Sequence, residues 1–218
     1  MAKSVKFAVI LSGCGVYDGS EIHEATLTLY SIAKNGGTYE IFAPDMQQFH
    51  VINHITGEEM GEKRNVLVES ARIARGKINP LNEFDINDFE ALIFPGGFGA
   101  AKNLSTYGID GVNFTINIEV RSAVTNMVAA GKPIGALCIT PVVIAKLLSD
   151  VELTIGLDQS TITDIENMGA KHIKAGPTEI VIDKNKKVIT TPCYMLDAPI
   201  DQIAQGINNV VKAIIDMV

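Results

Sequence analysis

Apolar residues follow two patterns along this chain, unbroken runs and spacings of three or four residues. Residues 5–11 (VKFAVIL) form a continuous apolar run that ends in Ser-Gly, which is typical of a β-strand buried on both faces. Residues 21–35 place their apolar side chains on one helical face and end before Gly36-Gly37, which predicts an α-helix. Residues 200–215 keep the helical spacing throughout and predict the clearest helix of the chain.

Strand and helix patterns alternate over the whole length. The predicted strands are residues 5–11, 39–43, 91–94, 133–137, 151–155, 180–183 and 188–191. The predicted helices are residues 21–35, 62–75, 117–130, 141–148, 158–168 and 200–215. Residues 45–61 have no clear period and predict an excursion from the core. Because strands and helices alternate without a repeat or a linker, we predict one α/β domain over residues 1–218, with a mostly parallel sheet and helices on both faces.

Composition and charge argue against two classes of binding partner, nucleic acids and membranes. The 218 residues include 18 Lys and Arg against 25 Asp and Glu, a net charge of −7, so we expect no nucleic-acid partner. No apolar run reaches the ~18 residues of a membrane span, so we expect no membrane partner either. The N-terminus lacks the zones of a signal peptide, and three cysteines without a CxxC pair favour free thiols in a reducing compartment. We therefore predict a cytoplasmic protein.

Ligands of parallel α/β sheets bind outside the carboxyl ends of the strands. Four segments that follow predicted strands carry glycine, proline and cysteine, namely residues 12–15, 95–99, 138–141 and 191–194. All three cysteines, Cys14, Cys138 and Cys193, lie in these segments. The carboxyl edge of the sheet is therefore the predicted location of the site.

Cys138 stands between a predicted strand and a predicted helix that begins at Pro141, which is the arrangement of a nucleophile elbow. The N-terminus of the helix would point at the sulfur and favour the thiolate. We therefore expect Cys138 to be the most reactive of the three cysteines, with a pKa below that of a free thiol. The alternative is a buried and inert cysteine, which is common in protein cores.

A nucleophile in carbonyl chemistry needs hydrogen-bond donors for the oxyanion that develops. Gly96 and Gly97 end the neighbouring strand without a Cβ, and their backbone N–H groups, with that of Ile139, are the candidate donors. An ordinary tight turn is the alternative. Cys14 and Cys193 are either packing residues or redox-active thiols near Cys138.

Two further patterns are weaker. Gly13, Gly15 and Gly19 are similar to a dinucleotide-binding fingerprint, but the third glycine comes one residue too late, with Asp18 in its place. His50 and His54 have a spacing of four residues without an HExxH motif, and a surface loop is the simpler interpretation. We therefore predict neither a bound cofactor nor a metal ion.

A glutamate in the first helix, a PGG turn, and G-x-x-C-x-x-P at a strand–helix junction together resemble the ThiJ/PfpI superfamily, which has the class I glutamine-amidotransferase-like fold. Residues 12–24, 51–60, 95–105 and 190–195 resemble its ElbB branch, whose members are called isoprenoid-biosynthesis-associated proteins or glyoxalases. The resemblance implies a flavodoxin-like three-layer α/β sandwich, a homodimer, and a cofactor-independent reaction at Cys138.

The same resemblance assigns further residues. The superfamily carboxylate maps to Glu24, twelve residues before Gly36, and is expected to be protonated and hydrogen-bonded to the Cys138 thiolate. Glu21, one turn earlier, is the competing carboxylate. Asn53, Asn103 and Tyr194 lie in the branch-specific segments and are, with Cys14 and Cys193, candidates for the pocket wall.

The chain departs from the amidotransferase pattern after the nucleophile. Residues 151–157 contain no histidine, and the first one downstream of Cys138 is His172. We therefore expect no Cys-His-Glu triad and no glutaminase. The remaining pair predicts a weak, cofactor-free glyoxalase, in which Cys138 attacks glyoxal and Glu24 moves a proton to give glycolate. Deglycation is the same chemistry on another carbonyl. The alternative is a non-enzymatic redox or stress-response regulator, with Cys138 as sensor.

Overall fold

A seven-stranded sheet runs through the computed structural model, which describes residues 4–218; residues 1–3 of the predicted domain lie outside the described residues. The strands are β1 (Lys6–Ile10), β2 (Thr38–Ala43), β3 (Val51–Ile52), β4 (Glu59–Met60), β5 (Asn79–Pro80), β6 (Ala91–Phe94), β7 (Ile134–Leu137), β8 (Glu152–Leu153), β9 (Lys171–His172), β10 (Val181–Asp183) and β11 (Val188–Thr191). The helices are α1 (Ile22–Lys34), α2 (Val66–Ile73), α3 (Phe98–Lys102), α4 (Tyr107–Asp110), α5 (Ile118–Ala129), α6 (Pro141–Leu147), α7 (Gln159–Asn167) and α8 (Ile200–Ile215).

The order of the large sheet is β10-β11-β7-β6-β1-β2-β5. Its strand pairs are parallel, except that β10 and β11 form the predicted antiparallel hairpin. Parallel neighbours need crossover connections, and the helices between the strands supply them. The predicted flavodoxin-like α/β fold is therefore confirmed.

Both faces of the sheet are covered, which explains why the first strand is apolar without a break. Phe7 and Val9 belong to the apolar cluster that contains residues of α1 and α8. Ala8 and Ile10 belong to the cluster on the other face, which contains residues of α5 and α6. All four side chains are fully buried, so every position of β1 between Phe7 and Ile10 is a core position.

Some elements differ from the prediction. The helix predicted over residues 62–75 is only Val66–Ile73, because the Asn65 side chain caps it by accepting a hydrogen bond from the Val68 N–H at 3.0 Å. The loop after β6 contains the short helices α3 and α4, and β8 pairs with β9 in a small sheet of its own. The excursion of residues 45–61 contains the antiparallel pair of β3 and β4. No helix within residues 4–218 is both long enough and apolar enough to cross a membrane.

Helix α8 packs closely against the segment before β10. A Cβ at Gly206 would overlap the backbone carbonyl oxygen of Pro177 and lie 3.0 Å from Thr191 Oγ1. A backbone oxygen cannot move aside as a side-chain tip can, so this position requires glycine.

We therefore expect Gly206→Ala to lower the free energy of unfolding by about 1–3 kcal/mol, the usual cost of overpacking, although alanine is the better helix former. Urea denaturation measures the change. Gly61→Ala is the control, because no heavy atom lies within 4 Å of a Cβ built there. Equal stabilities of the two variants would contradict the assigned packing.

Candidate active site

The carboxyl ends of four adjacent strands form a row along one edge of the sheet. In the order β11, β7, β6 and β1, the segments that follow these strands carry Cys193, Cys138, Gly96 and Cys14. Neighbouring strands are ~4.8 Å apart, so residues after adjacent strands contact each other, whereas Cys14 lies two strands from Cys138. The predicted grouping of these segments at one edge is confirmed by the strand order.

Cys138 is the first of three turn residues between β7 and α6 and has a φ of +60°, in the left-handed region that non-glycine residues seldom adopt. Pro141 begins α6, where no N–H donor is required. The hydroxyl of Thr140 donates to the Pro95 carbonyl at 3.0 Å and ties this turn to the end of β6. The turn therefore presents the sulfur at the sheet edge, with 7% of the residue exposed.

Glu24 meets Cys138 from the first turn of α1. Its side chain is fully buried and hydrogen-bonds with the Cys138 thiol. Oε2 accepts from the Gly96 N–H at 2.9 Å, and Oε1 accepts from the Tyr194 N–H at 3.2 Å. Two loops therefore hold both carboxyl oxygens in place.

Glu21, the competing carboxylate, has a different task. Its side chain accepts a hydrogen bond from the Glu24 N–H at 2.7 Å and caps the N-terminus of α1. The geometry therefore separates the two carboxylates: Glu24 contacts the sulfur, and Glu21 begins the helix.

The predicted oxyanion donors divide into two groups. The Gly96 N–H already donates to Glu24, so its assignment as an oxyanion donor is corrected: it fixes the carboxyl group instead. A Cβ at Gly96 would lie 2.7 Å from Glu24 Oε2 and 2.9 Å from Cys138 Sγ, so only glycine fits between the two groups. The N–H groups of Gly97 and Ile139 hydrogen-bond to the Cys138 sulfur and remain candidate donors.

Burial dominates the protonation of the pair. Burial first, and the charge of Glu21 second, raise the pKa of Glu24 from 4.5 to about 7, against the lowering effect of the Tyr194 and Gly96 N–H groups. Burial and the carboxylate of Glu24 raise the pKa of Cys138 well above that of a free thiol. The expectation of a lowered thiol pKa is therefore wrong, because the Gly97 and Ile139 N–H groups do not offset the loss of solvent. The two groups titrate as a unit, and the thiolate is favoured only while Glu24 keeps its proton.

Three of the four histidines are hydrogen-bonded to groups other than Cys138. His23 Nδ1 lies 3.0 Å from the Tyr194 hydroxyl, and His50 Nε2 lies 3.3 Å from Lys102 Nζ. His54 Nε2 accepts from a backbone N–H at 3.3 Å; His172 lies against the backbone of Gly156, and its buried Nε2 has no hydrogen-bond partner in the described part of the chain. Within residues 4–218, no three His, Cys, Asp or Glu residues are placed to hold a metal ion.

Three of the candidate pocket residues lie along the row of strand ends. Cys193 is fully buried and receives a hydrogen bond from the Cys138 N–H. Tyr194 contributes the backbone N–H that holds Glu24. Cys14 is partly exposed and lies beyond the PGG turn, where burial and the charge of Glu69 raise its pKa.

The two asparagines serve the loops instead. Asn103 Nδ2 donates to the carbonyl oxygens of Ser12 and Asp18 at 2.8 and 2.9 Å, and its Oδ1 accepts from the Phe49 N–H at 2.9 Å. Asn53 Oδ1 accepts from a backbone N–H two residues later at 2.9 Å. Their place in the pocket wall stays a prediction, and in the structure these amides make turn and loop contacts. The roles of Thr140 and of the Tyr194 N–H were not predicted from the sequence. A backbone N–H has no sequence signal.

No family model matches the chain, but several proteins are similar over nearly all of it. It is 46% identical over 222 residues to "ES1 protein homolog, mitochondrial" from Rattus norvegicus, which covers 97% of this chain and 84% of the relative. It is 45% identical over 224 residues to the human "Glutamine amidotransferase-like class 1 domain-containing protein 3, mitochondrial", covering 98% of this chain and 84% of that protein.

Solved structures share the fold. An isoprenoid biosynthesis protein with an amidotransferase-like domain from Ehrlichia chaffeensis is 35% identical and superposes with a TM-score of 0.92, over 98% of this chain and 100% of that one. A DJ-1 superfamily protein from Salmonella typhimurium is 18% identical, with a TM-score of 0.63 over 97% of this chain and 91% of that one. The second similarity concerns the fold alone.

The prediction of a cytoplasmic protein is contradicted by the relatives. The rat, human and zebrafish proteins are all named as mitochondrial. The prediction rested on free thiols, and free thiols indicate reducing conditions without distinguishing one reducing compartment from another.

Because the charge of Glu24 raises the pKa of Cys138, we expect Glu24→Gln to lower that pKa and to speed the alkylation of Cys138 above neutral pH. Iodoacetamide labelling over a pH series, followed by peptide mass spectrometry, measures the effect at this cysteine alone. Glu21→Gln is the matched control, because Glu21 caps the helix and does not contact the thiol. An equal shift in both variants would contradict the assignment of Glu24.

The raised pKa of Glu24 also predicts a pH-dependent stability. The folded chain binds a proton between pH 4.5, the ordinary value, and about pH 7, whereas the unfolded chain has released it. The free energy of unfolding should therefore fall as pH rises through this window, by on the order of 3 kcal/mol.

Glu24→Gln should remove this decline, and Glu58→Gln, at an exposed position, should retain it. Urea denaturation of the three proteins between pH 4.5 and 8 provides the test. If the free energy of unfolding fell equally with pH in the wild type and in Glu24→Gln, Glu24 would be ionised in the folded chain over this whole pH range.

Proposed function

This chain belongs to the family of ES1 and glutamine amidotransferase-like class 1 proteins, of the ThiJ/PfpI superfamily, and from this membership we propose that it is a cysteine-dependent enzyme acting on small reactive carbonyl compounds. The observation that carries the proposal is the hydrogen bond between the buried Glu24 carboxyl and the thiol of Cys138 at a strained turn. Membership of the ElbB branch stays a prediction, as do the homodimer and the single domain.

The proposed reaction converts glyoxal to glycolate without a cofactor. The sulfur of Cys138 adds to one aldehyde carbon, and the new alkoxide takes up a proton to give a hemithioacetal. Glu24, as carboxylate, removes the proton from that carbon to give an enediol and returns it to the neighbouring carbon, while the hydroxyl proton of the hemithioacetal passes to the neighbouring oxygen; the product is the thioester of glycolate. Water then hydrolyses the thioester and releases glycolate and the free thiol.

The coupled titration of Glu24 and Cys138 is compatible with these reaction steps. One proton is shared between Glu24 and Cys138, so the carboxyl is protonated when the thiolate attacks and is free to act as a base afterwards. The N–H groups of Gly97 and Ile139 already point at the sulfur, so they lie beside the oxyanion that forms on the adjoining carbon. Glu24 remains positioned throughout by the N–H groups of Gly96 and Tyr194.

The same geometry disfavours glutamine hydrolysis. Release of ammonia requires protonation of an amine leaving group, usually by a histidine paired with the nucleophile. None of the hydrogen bonds that the four histidines make within residues 4–218 is to Cys138; His23, His50 and His54 bond to other groups. Isomerisation of glyoxal has no amine leaving group, so a single carboxyl group serves both proton transfers.

A second candidate function is a redox or stress-response regulator that uses the same cysteine. The observation that favours it is a second, fully buried thiol, Cys193, next to Cys138. The carbonyl reaction has no use for this thiol.

We expect Cys138→Ala to abolish glycolate formation from glyoxal, because no other group can form the thioester. Glu24→Gln should lower kcat by about 10²–10⁴-fold, the usual contribution of an acid–base group. Cys14→Ala is the control and should retain activity, since Cys14 lies two strands away. Glycolate from glyoxal and ammonia from glutamine are followed in one metal-free preparation.

Glycolate formation that persists in Cys138→Ala would overturn the enzyme proposal. Ammonia release that is lost in the same variant would instead identify a glutaminase.

A further inference from the structure

Cys138 and Cys193 lie at the ends of two hydrogen-bonded parallel strands. The register pairs Leu137 of β7 with Thr191 of β11, and the Cys138 N–H donates to the Thr191 carbonyl at 3.1 Å. Continuing this register by one residue brings Cys138 beside Pro192, which directly precedes Cys193. The two Cα atoms are therefore neighbours across the sheet, within the ~7 Å that a disulfide can bridge.

Both cysteines leave their strands through turns in the left-handed region. Each leaves its strand with a positive φ, +60° at Cys138 and +44° at Cys193. The Cys138 N–H that donates to the Thr191 carbonyl also reaches the sulfur of Cys193, so this sulfur lies against the backbone of Cys138. Both sulfurs are also close enough to Glu24 to feel its charge.

We propose that Cys193 is a resolving cysteine: a hydroperoxide oxidises Cys138 to the sulfenic acid, and Cys193 converts this acid to a reversible intramolecular disulfide. The proposal concerns the same cysteine as the proposed function, but it does not depend on the turnover of glyoxal.

The steps balance with a hydroperoxide as the only oxidant. The Cys138 thiolate attacks the peroxide, its S–O bond forms as the O–O bond breaks, and the peroxide leaves as water or an alcohol after taking a proton. Cys193 then loses its proton, for which the Glu24 carboxylate is the neighbouring acceptor, and attacks the Cys138 sulfur. The S–S bond forms, the S–O bond breaks, and hydroxide leaves as water with that proton.

Exposure sets the order of events. Cys138 is 7% exposed and Cys193 is fully buried, so a small peroxide reaches Cys138 first and Cys193 attacks from the interior. Cys14 is excluded as the partner, because β6 lies between β1 and β7 and two strand spacings amount to about 10 Å, beyond the reach of a disulfide.

Disulfide formation would protect the nucleophile. Without a resolving thiol, further peroxide carries a sulfenic acid to the irreversible sulfinic acid. The disulfide prevents that oxidation. It also blocks the proposed carbonyl reaction until a dithiol reduces the disulfide. The proposal thereby gives the buried thiol of Cys193 a chemical role in addition to packing.

The test treats the full chain with hydrogen peroxide, blocks the remaining thiols with N-ethylmaleimide, and analyses the tryptic peptides by mass spectrometry. Trypsin separates the three cysteines into residues 7–34, 122–146 and 188–212. We expect a linked peptide of residues 122–146 with 188–212 in the wild type and in Cys14→Ala, and its loss on treatment with dithiothreitol.

In Cys193→Ala we expect no linked peptide and conversion of Cys138 to the sulfinic acid, which dithiothreitol does not reverse. The result in the wild type stands whether or not this variant folds. A sulfinic acid at Cys138 with Cys193 still free to alkylate, or a link to residues 7–34, would overturn the proposal. A linked peptide in a protein that makes no glycolate would reject the proposed enzyme function alone.

Discussion

The structure around the site depends on one buried contact, the hydrogen bond between the Glu24 carboxyl and the Cys138 thiol. Neither group is solvated, and the carboxylate charge of Glu24 raises the pKa of Cys138, so the two groups do not ionise together near neutral pH. A buried carboxyl is tolerated because the N–H groups of Gly96 and Tyr194 bind its two oxygens. Three separate loops must therefore be in place before this pair can exist.

The sheet topology provides that placement. Because β11, β7 and β6 are adjacent, the segments after them converge on Cys138, and α1 places Glu24 above them. The position of Gly96 against both groups has no space for a side chain, and Thr140 ties the elbow to the same turn. Burial raises the thiol pKa, so the proposed chemistry depends on a positioned proton and not on a strongly acidic thiol.

Much of this could be predicted from the order of residues. The alternation of apolar runs and helical spacings predicted the parallel sheet, since a strand covered on both faces must be apolar at each position, as Phe7 to Ile10 are. The strand-end positions of Cys138, Cys193 and the PGG turn followed from the same alternation. The resemblance to a superfamily, rather than any pattern of spacing, selected Glu24 over Glu21.

The sequence by itself therefore determined the fold class and the edge of the sheet that carries the chemistry, because both follow from local periodicity. Only the tertiary structure decided which backbone N–H groups serve Glu24 and which face the sulfur, and that Asn53 and Asn103 brace loops. It also decided the direction of the thiol pKa and the register of β7 and β11, which places Cys138 near Cys193. These properties depend on distances between segments far apart in the chain and on the exclusion of water, which no local pattern encodes.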